Sequence, residues 1–200
     1  MLNAIPIKFS KDICLNFISD ERIAILDKIA EYIVNSYSPK LVFICTHNSR
    51  RSQMAQVLAQ IFADDFELKN IQLYSGGTQI TEFNANAINA LERMGIDFTK
   101  YGNSNPVYSI AIKDVEYKFY SKKYDDTHNP NEKFCAVMTC SEADGNCPFI
   151  PGAESRIGLK YDDPKDYDGT ELEQNKYDEI CYKIAYEMYY IMLKTKKLCK

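Results

Sequence analysis

Between residues 10 and 36, Ile13, Leu15, Phe17, Ile18, Ile23, Leu26, Ile29, Ile33 and Val34 recur at mostly helical intervals, with Lys, Asp and Glu between them. That spacing predicts one or two amphipathic helices. Ser38-Pro39-Lys40 breaks the pattern. The unbroken apolar run Leu41-Val42-Phe43-Ile44, closing on Cys45, then reads as a short buried strand. From Gln53 to Phe62 the apolar residues return to helical spacing, with Ser52 placed as N-cap. Ile71 to Ser75 read as a second strand ending at Gly76-Gly77, and 84–94 as a helix closed by Gly95. Strand, helix, strand, helix in this order indicates a parallel sheet.

Downstream the pattern changes. Val107, Ile110, Ile112, Val115, Tyr117 and Phe119 predict one or two extra strands around Lys113-Asp114, and a polar stretch follows through Asn131. Phe134 to Thr139 is another buried strand, with Cys140 at its C-terminal end, and Ile157 to Tyr161 is a short strand that delivers Asp162-Asp163-Pro164. A last helix is expected from Thr170, where Thr170 and Glu173 form a capping box and Tyr177, Ile180, Cys181, Ile184, Met188 and Met192 form the apolar stripe. The expectation is one α/β domain over 1–200, built on an open parallel sheet of about four strands in three layers. An N-terminal helical extension covers 1–40, and a β-rich insertion covers 103–133.

A formal charge of -4 and a pI near 5.3 give no general attraction to nucleic acid, whose binding proteins concentrate basic surface. The segment Met1 to Lys8 lacks the basic start and continuous apolar stretch of a signal peptide, and no run approaches membrane-spanning length. Cytoplasm is the expected location, with no membrane partner. Seven scattered cysteines leave one unpaired in any full pairing, so they read as thiols of a reducing compartment and not as a disulfide scaffold. His47, His128, Cys140 and Cys147 lack the paired spacing of a zinc site, and no metal is assigned.

The chemistry concentrates after the first strand. Cys45-Thr46-His47-Asn48-Ser49-Arg50-Arg51-Ser52 joins a strand to a helix, a junction that turns successive backbone N–H groups inward and adds the positive end of the helix dipole. A tetrahedral oxyanion fits such a loop. The same field favours a thiolate at Cys45, and Arg51 offers a planar fork of donors to two anion oxygens. Ser52 is expected to donate to the thiolate and Asn48 to fix the loop, while His47 and Arg50 face either the pocket mouth or solvent.

In an open parallel sheet, functional groups gather beyond the carboxyl ends of the strands, where Cys45, Cys140 and Asp163 all fall. Cys140 and Cys147 are seven positions apart. A helix would hold them roughly 10 Å apart, beyond the Cα separation a disulfide allows, so pairing them requires a turn to melt.

Residues 45–55, Tyr74-Ser75-Gly76-Gly77, residues 90–97, the segment Val137 to Pro148, and Asp162-Asp163-Pro164 together resemble the thioredoxin-coupled arsenate reductases. These share fold and anion loop with the low-molecular-weight protein tyrosine phosphatases. The resemblance covers about residues 41–102 and 134–193, and the segment with Cys140 and Cys147 is its most specific part. The N-terminal helices and the insertion at 103–133 are additional, His47 replaces a glycine, Arg50 precedes the clamp, and Gln56 stands at a usually acidic position.

The resemblance implies that Cys45 attacks arsenate held by Arg51 and by the loop from Thr46 to Ser52, with Asp163 protonating the departing hydroxide. Cys140 then attacks Cys45 and releases arsenite, Cys147 takes over the disulfide, and thioredoxin reduces it. No metal or organic cofactor is implied. The alternative is a phosphatase that forms a phosphocysteine at Cys45 on a phosphotyrosyl protein, with Cys140 and Cys147 as redox guards or bystanders. A silent phosphoprotein- or anion-binding module, with the insertion as partner surface, is opposed by the presence of Cys45, Arg51 and Asp163.

Overall fold

A computed structural model of the protein describes residues 16–146 and 149–199. Ile13, Cys14, Leu15 and Cys147 lie outside the described residues. The elements run α1 (Asp20–Asn35), β1 (Lys40–Cys45), α2 (Arg51–Asp65), β2 (Gln72–Gly77), α3 (Ala85–Arg93), β3 (Thr99–Tyr101), β4 (Val107–Ile112) and β5 (Val115–Phe119). They continue with β6 (Phe134–Met138), α4 (Ser141–Asn146), β7 (Ala153–Gly158), a 3-10 turn at Pro164–Tyr167, and α5 (Glu173–Leu198).

Four strands form a wholly parallel sheet in the order β2-β1-β6-β7. Side chains of a strand alternate between faces, so Leu41, Phe43, Cys135 and Val137 join one apolar cluster and Val42, Ile44, Ala136 and Met138 the other. Both sets are covered, which is why these strands read as continuous apolar runs. The first face carries α1, α2, α3 and α5, with Leu26, Ile29, Phe62, Ile88, Ile184 and Met188 packed against it. The second is covered by α4 through Ala143, by Ile150, and by Tyr124. Among the described residues no helix is long and apolar enough to cross a membrane.

Beside the parallel sheet lies a second sheet of three antiparallel strands, one more than the hairpin expected. Beyond the expected hairpin of β4 and β5, turning at Lys113-Asp114, β3 pairs antiparallel with β4 from Thr99 onward. Its three residues are all exposed, so no alternation marks them. The chain then returns to the main sheet, where Gly77 N–H donates to the Lys122 carbonyl and Tyr124 N–H to the Gly77 carbonyl, each at 2.9 Å. Gly76 is required there, because a Cβ on it would lie 2.3 Å from the Tyr124 Cα.

Two boundaries also move. The strand expected at 157–161 is β7, earlier in the chain, because it is an edge strand with polar Glu154, Ser155 and Arg156 that carry no apolar signal. Leu159 and Tyr161 lie beyond it, tied by main-chain hydrogen bonds to Met138 and Thr139. α5 starts at Glu173 and not near Thr170. The capping-box side chains act one turn upstream, Glu173 accepting from Gly169 N–H at 2.7 Å and Thr170 from Leu172 N–H at 3.3 Å.

Candidate active site

β1 ends at Cys45, and the chain turns through residues 46–50 into α2. Asn48 makes the turn at φ 47°, in the left-handed region that asparagine tolerates better than most residues. Its fully buried side chain fixes the loop from three sides. Nδ2 donates to Ser52 Oγ at 2.9 Å, while Oδ1 accepts Lys122 N–H at 2.9 Å and Gln53 Nε2 at 3.2 Å. The Ser52 oxygen therefore already has a donor, which leaves its own proton for Cys45 Sγ, 3.0 Å away. This corrects the placing of Ser52 as N-cap: Arg50 is the cap residue, with no capping bond from its side chain, and Ser52 in the first turn spends its hydroxyl on the sulfur.

Neighbours hold the loop's outward-facing groups. Thr46 carbonyl accepts Gln79 N–H at 2.8 Å, His47 carbonyl accepts Ser121 Oγ at 2.9 Å, and Ser49 Oγ donates to the Glu82 carbonyl at 2.7 Å. Among the described residues none of the backbone N–H groups from Thr46 to Arg51 donates to a protein acceptor. A run of unpaired donors at the start of a fifteen-residue helix is what an oxyanion needs.

Arg51, 8% exposed, is committed on one edge and open on another. Nη1 donates to the Tyr161 carbonyl at 3.0 Å and Nη2 pairs with Asp163, while Nε is buried without a partner. Asp163 caps the 3-10 turn, its Oδ1 accepting Lys165 N–H at 3.1 Å. Arg51 and Asp163 thus meet at the carboxyl edge of the sheet.

The Arg50 side chain is partly buried and held by two partners. Nε donates to the Tyr177 hydroxyl at 2.8 Å and Nη2 pairs with Asp168 at 3.3 Å. Burial, with the facing Asp168 carboxylate, pushes the Tyr177 phenol up to about 12, so it stays a donor to Asp168. His47 is half-buried.

Cys140 closes the strand beside β1. It is 1% exposed, shares the apolar cluster of Cys45, and accepts the Ala143 N–H at 3.3 Å, so its sulfur stands at the start of α4. Thr46 bridges the two cysteine segments, its Oγ1 3.5 Å from Cys140 Sγ and donating to Glu142 Oε2 at 3.0 Å. α4 is anchored by Asp144, paired with Lys160 at 2.7 Å, and by Arg156, which donates to the Asp144 carbonyl at 2.6 Å. Cys135 is not part of this group: burial pushes its thiol up to about 12. Among the described residues no group of three metal-ligating side chains is gathered, and His128 instead contacts Asp126 at 2.9 Å.

Tyr177, Asp168, Ser121, Lys122 and Glu142 also support this loop, and nothing in the sequence signalled that part for any of them. Each acts through a contact distant along the chain, Lys122 through its main-chain N–H alone.

The sequence profile of the low molecular weight phosphotyrosine protein phosphatases matches residues 40–117. An arsenate reductase of Staphylococcus aureus (strain Newman) is 35% identical over 148 residues, 74% of this chain and 92% of that protein. A solved arsenate reductase in its phosphate-binding state superposes with a TM-score of 0.51 at 19% identity, over 78% of this chain and 98% of the other. The low molecular weight phosphotyrosine phosphatase of Vibrio cholerae O395 reaches a TM-score of 0.55 at 14% identity, covering 80% and 97%.

Proposed function

The chain belongs to the arsenate reductase family of the low-molecular-weight phosphotyrosine phosphatase superfamily, and on that premise we propose that it reduces arsenate to arsenite through three cysteines. The observation that supports the reading is Cys45, hydrogen-bonded to Ser52, at the start of a loop whose N–H groups find no acceptor among the described residues, with Arg51 of that loop paired to Asp163 and Cys140 linked through Thr46.

The N–H groups from Thr46 to Ser52 and the Arg51 guanidinium hold the arsenate oxygens. Cys45 thiolate attacks arsenic, and an arsenic–oxygen bond breaks as Asp163 gives its proton to the leaving hydroxide, which departs as water. Cys140 thiolate then attacks Cys45 Sγ. A sulfur–sulfur bond forms, the electron pair of the sulfur–arsenic bond stays on arsenic, and arsenic(V) leaves as arsenite. Cys147 thiolate attacks Cys140 Sγ, freeing Cys45 and producing a Cys140–Cys147 disulfide. A thioredoxin dithiol reduces that bond and is itself oxidised. Cytoplasmic thiol-reducing conditions suit this cycle.

The match to the phosphatase profile favours a second reading, in which Cys45 forms a phosphocysteine and Asp163 protonates a tyrosyl leaving group. Arsenate-driven NADPH oxidation with thioredoxin and thioredoxin reductase, beside p-nitrophenyl phosphate hydrolysis, separates the two. Under the reductase reading Cys140→Ser and Cys147→Ser abolish the first activity and spare the second. Ester hydrolysis indifferent to both changes, with no response to arsenate, establishes the phosphatase instead.

A further inference from the structure

Arg22 lies on α1, upstream of the residues that match the family profile, yet its guanidinium reaches the segment that carries Asp163. Nε and Nη2 donate to the two oxygens of Glu187 on α5, at 2.8 and 2.6 Å, and Nη1 donates to the Lys160 carbonyl at 3.0 Å. The Tyr161 hydroxyl donates to the same Glu187 carboxylate at 2.6 Å, and the Arg22 guanidinium sits over the Tyr161 ring, 5.1 Å from its centroid. Glu187 is 2% exposed, and these donors take the place of water around its carboxylate.

On its main-chain side Tyr161 serves the site. Its carbonyl accepts Arg51 Nη1, its N–H is tied to the Thr139 carbonyl at 3.1 Å, and Asp163 follows two residues later. We propose that Arg22, acting through Glu187, Lys160 and Tyr161, is a positioning residue for Arg51 and Asp163, which makes the N-terminal extension part of the working site. The proposal rests on the reading of Arg51 as oxyanion clamp and Asp163 as acid.

Holding the extension in place does not by itself require Arg22. Asp27 ties α1 to α5 through the Tyr190 hydroxyl at 2.9 Å and Lys194 at 3.1 Å, and Tyr32 ties it to Glu154 at 2.8 Å. Neither tie touches residues 160–163. Arg22 instead joins both sides of that segment at once, its carbonyl at Lys160 and the buried partner of Tyr161. A clamp displaced by as little as about 1 Å loses on the order of 100-fold in rate, so a loosened segment is felt at the chemistry.

The test compares the parent with Arg22→Ala, Arg22→Lys and Asp27→Asn for the dissociation constant of inorganic phosphate, kcat and KM, and urea stability. Arg22→Ala is expected to weaken phosphate binding about tenfold or more and to raise KM while lowering kcat, because clamp and acid are both displaced. Arg22→Lys falls between, since an ammonium cannot serve both Glu187 oxygens and the Lys160 carbonyl in a planar fork. It also carries the test if Arg22→Ala fails to fold. Asp27→Asn loses stability but keeps phosphate affinity within about twofold, as expected for a tether distant from the site. If the Arg22 variants bind phosphate and turn over like the parent, or lose no more than Asp27→Asn, the positioning role is wrong while the site reading stands. If the parent itself binds no phosphate, both fall together.

Discussion

Replacing Asn48 by alanine tests how the anion loop is held. The side chain is fully buried and makes three hydrogen bonds, to Ser52 Oγ, Lys122 N–H and Gln53 Nε2. Its removal leaves the Lys122 N–H, which lies in a buried segment, without its acceptor, at a cost of about 1–3 kcal/mol. Loss of the bond to Ser52 adds about 1 kcal/mol. Alanine held at φ 47° adds about another 1 kcal/mol of backbone strain. Asn48→Ala is therefore expected to lose about 3–5 kcal/mol in urea unfolding, and Asn48→Gly about 1 kcal/mol less, because glycine accepts positive φ. Asn48→Asp separates stability from chemistry. It keeps the acceptor for Lys122 but faces Ser52 with an oxygen in place of a donor, so the hydroxyl turns to the carboxylate and away from Cys45. Turnover should fall while much of the fold's stability survives. A loss below about 1 kcal/mol for Asn48→Ala, or undiminished turnover in Asn48→Asp, would refute the reasoning.

Two further outcomes follow from buried ionisable groups. Loss of hydration pushes the Lys122 ammonium down to about 8, only partly opposed by Asp126, so the folded state binds fewer protons than the unfolded chain between about pH 8 and 10.5. Stability contributed by this group therefore rises with pH across that window, and the penalty is complete below it. Lys122→Met, losing a cation–π contact to Tyr120 and the attraction of Asp126, should stabilise the protein by about 2 kcal/mol at pH 7 and by almost nothing near pH 11, read as the shift in urea midpoint; equal effects at both pH values would contradict this. Burial pushes the Cys135 thiol up to about 12 and the Cys181 thiol still higher, so iodoacetamide at pH 8 should label neither until the protein is unfolded, and rapid native labelling of either would contradict their packing.

What was legible in the sequence is the part written in local pattern. β1 and β6 are buried on both faces and therefore appear as unbroken apolar runs, and α5 repeats its apolar residues at helical spacing over several turns. Cys45, Cys140 and Asp163 could be placed at one edge because parallel topology sends strand ends there, and Arg51 follows Cys45 on the same strand-to-helix loop. β3 and β7 were missed or shifted because exposed edge residues need no alternation. Ser52 was expected both to cap the helix and to donate to Cys45; a serine at a helix start suits either use, and the donor from Asn48 turns its hydroxyl to the sulfur. The links of Arg50 to Tyr177 and of Arg22 to Glu187 join residues 127 and 165 positions apart, a distance at which spacing carries no information.

The most direct measurement of the three-cysteine relay is mass spectrometry of the reduced protein after a single turnover with arsenate, without thioredoxin, quenched by alkylation. The parent should carry a Cys140–Cys147 disulfide with Cys45 alkylated, and Cys147→Ser should stop at a Cys45–Cys140 disulfide. All three thiols alkylated in the parent, with no disulfide formed under arsenate, would contradict it.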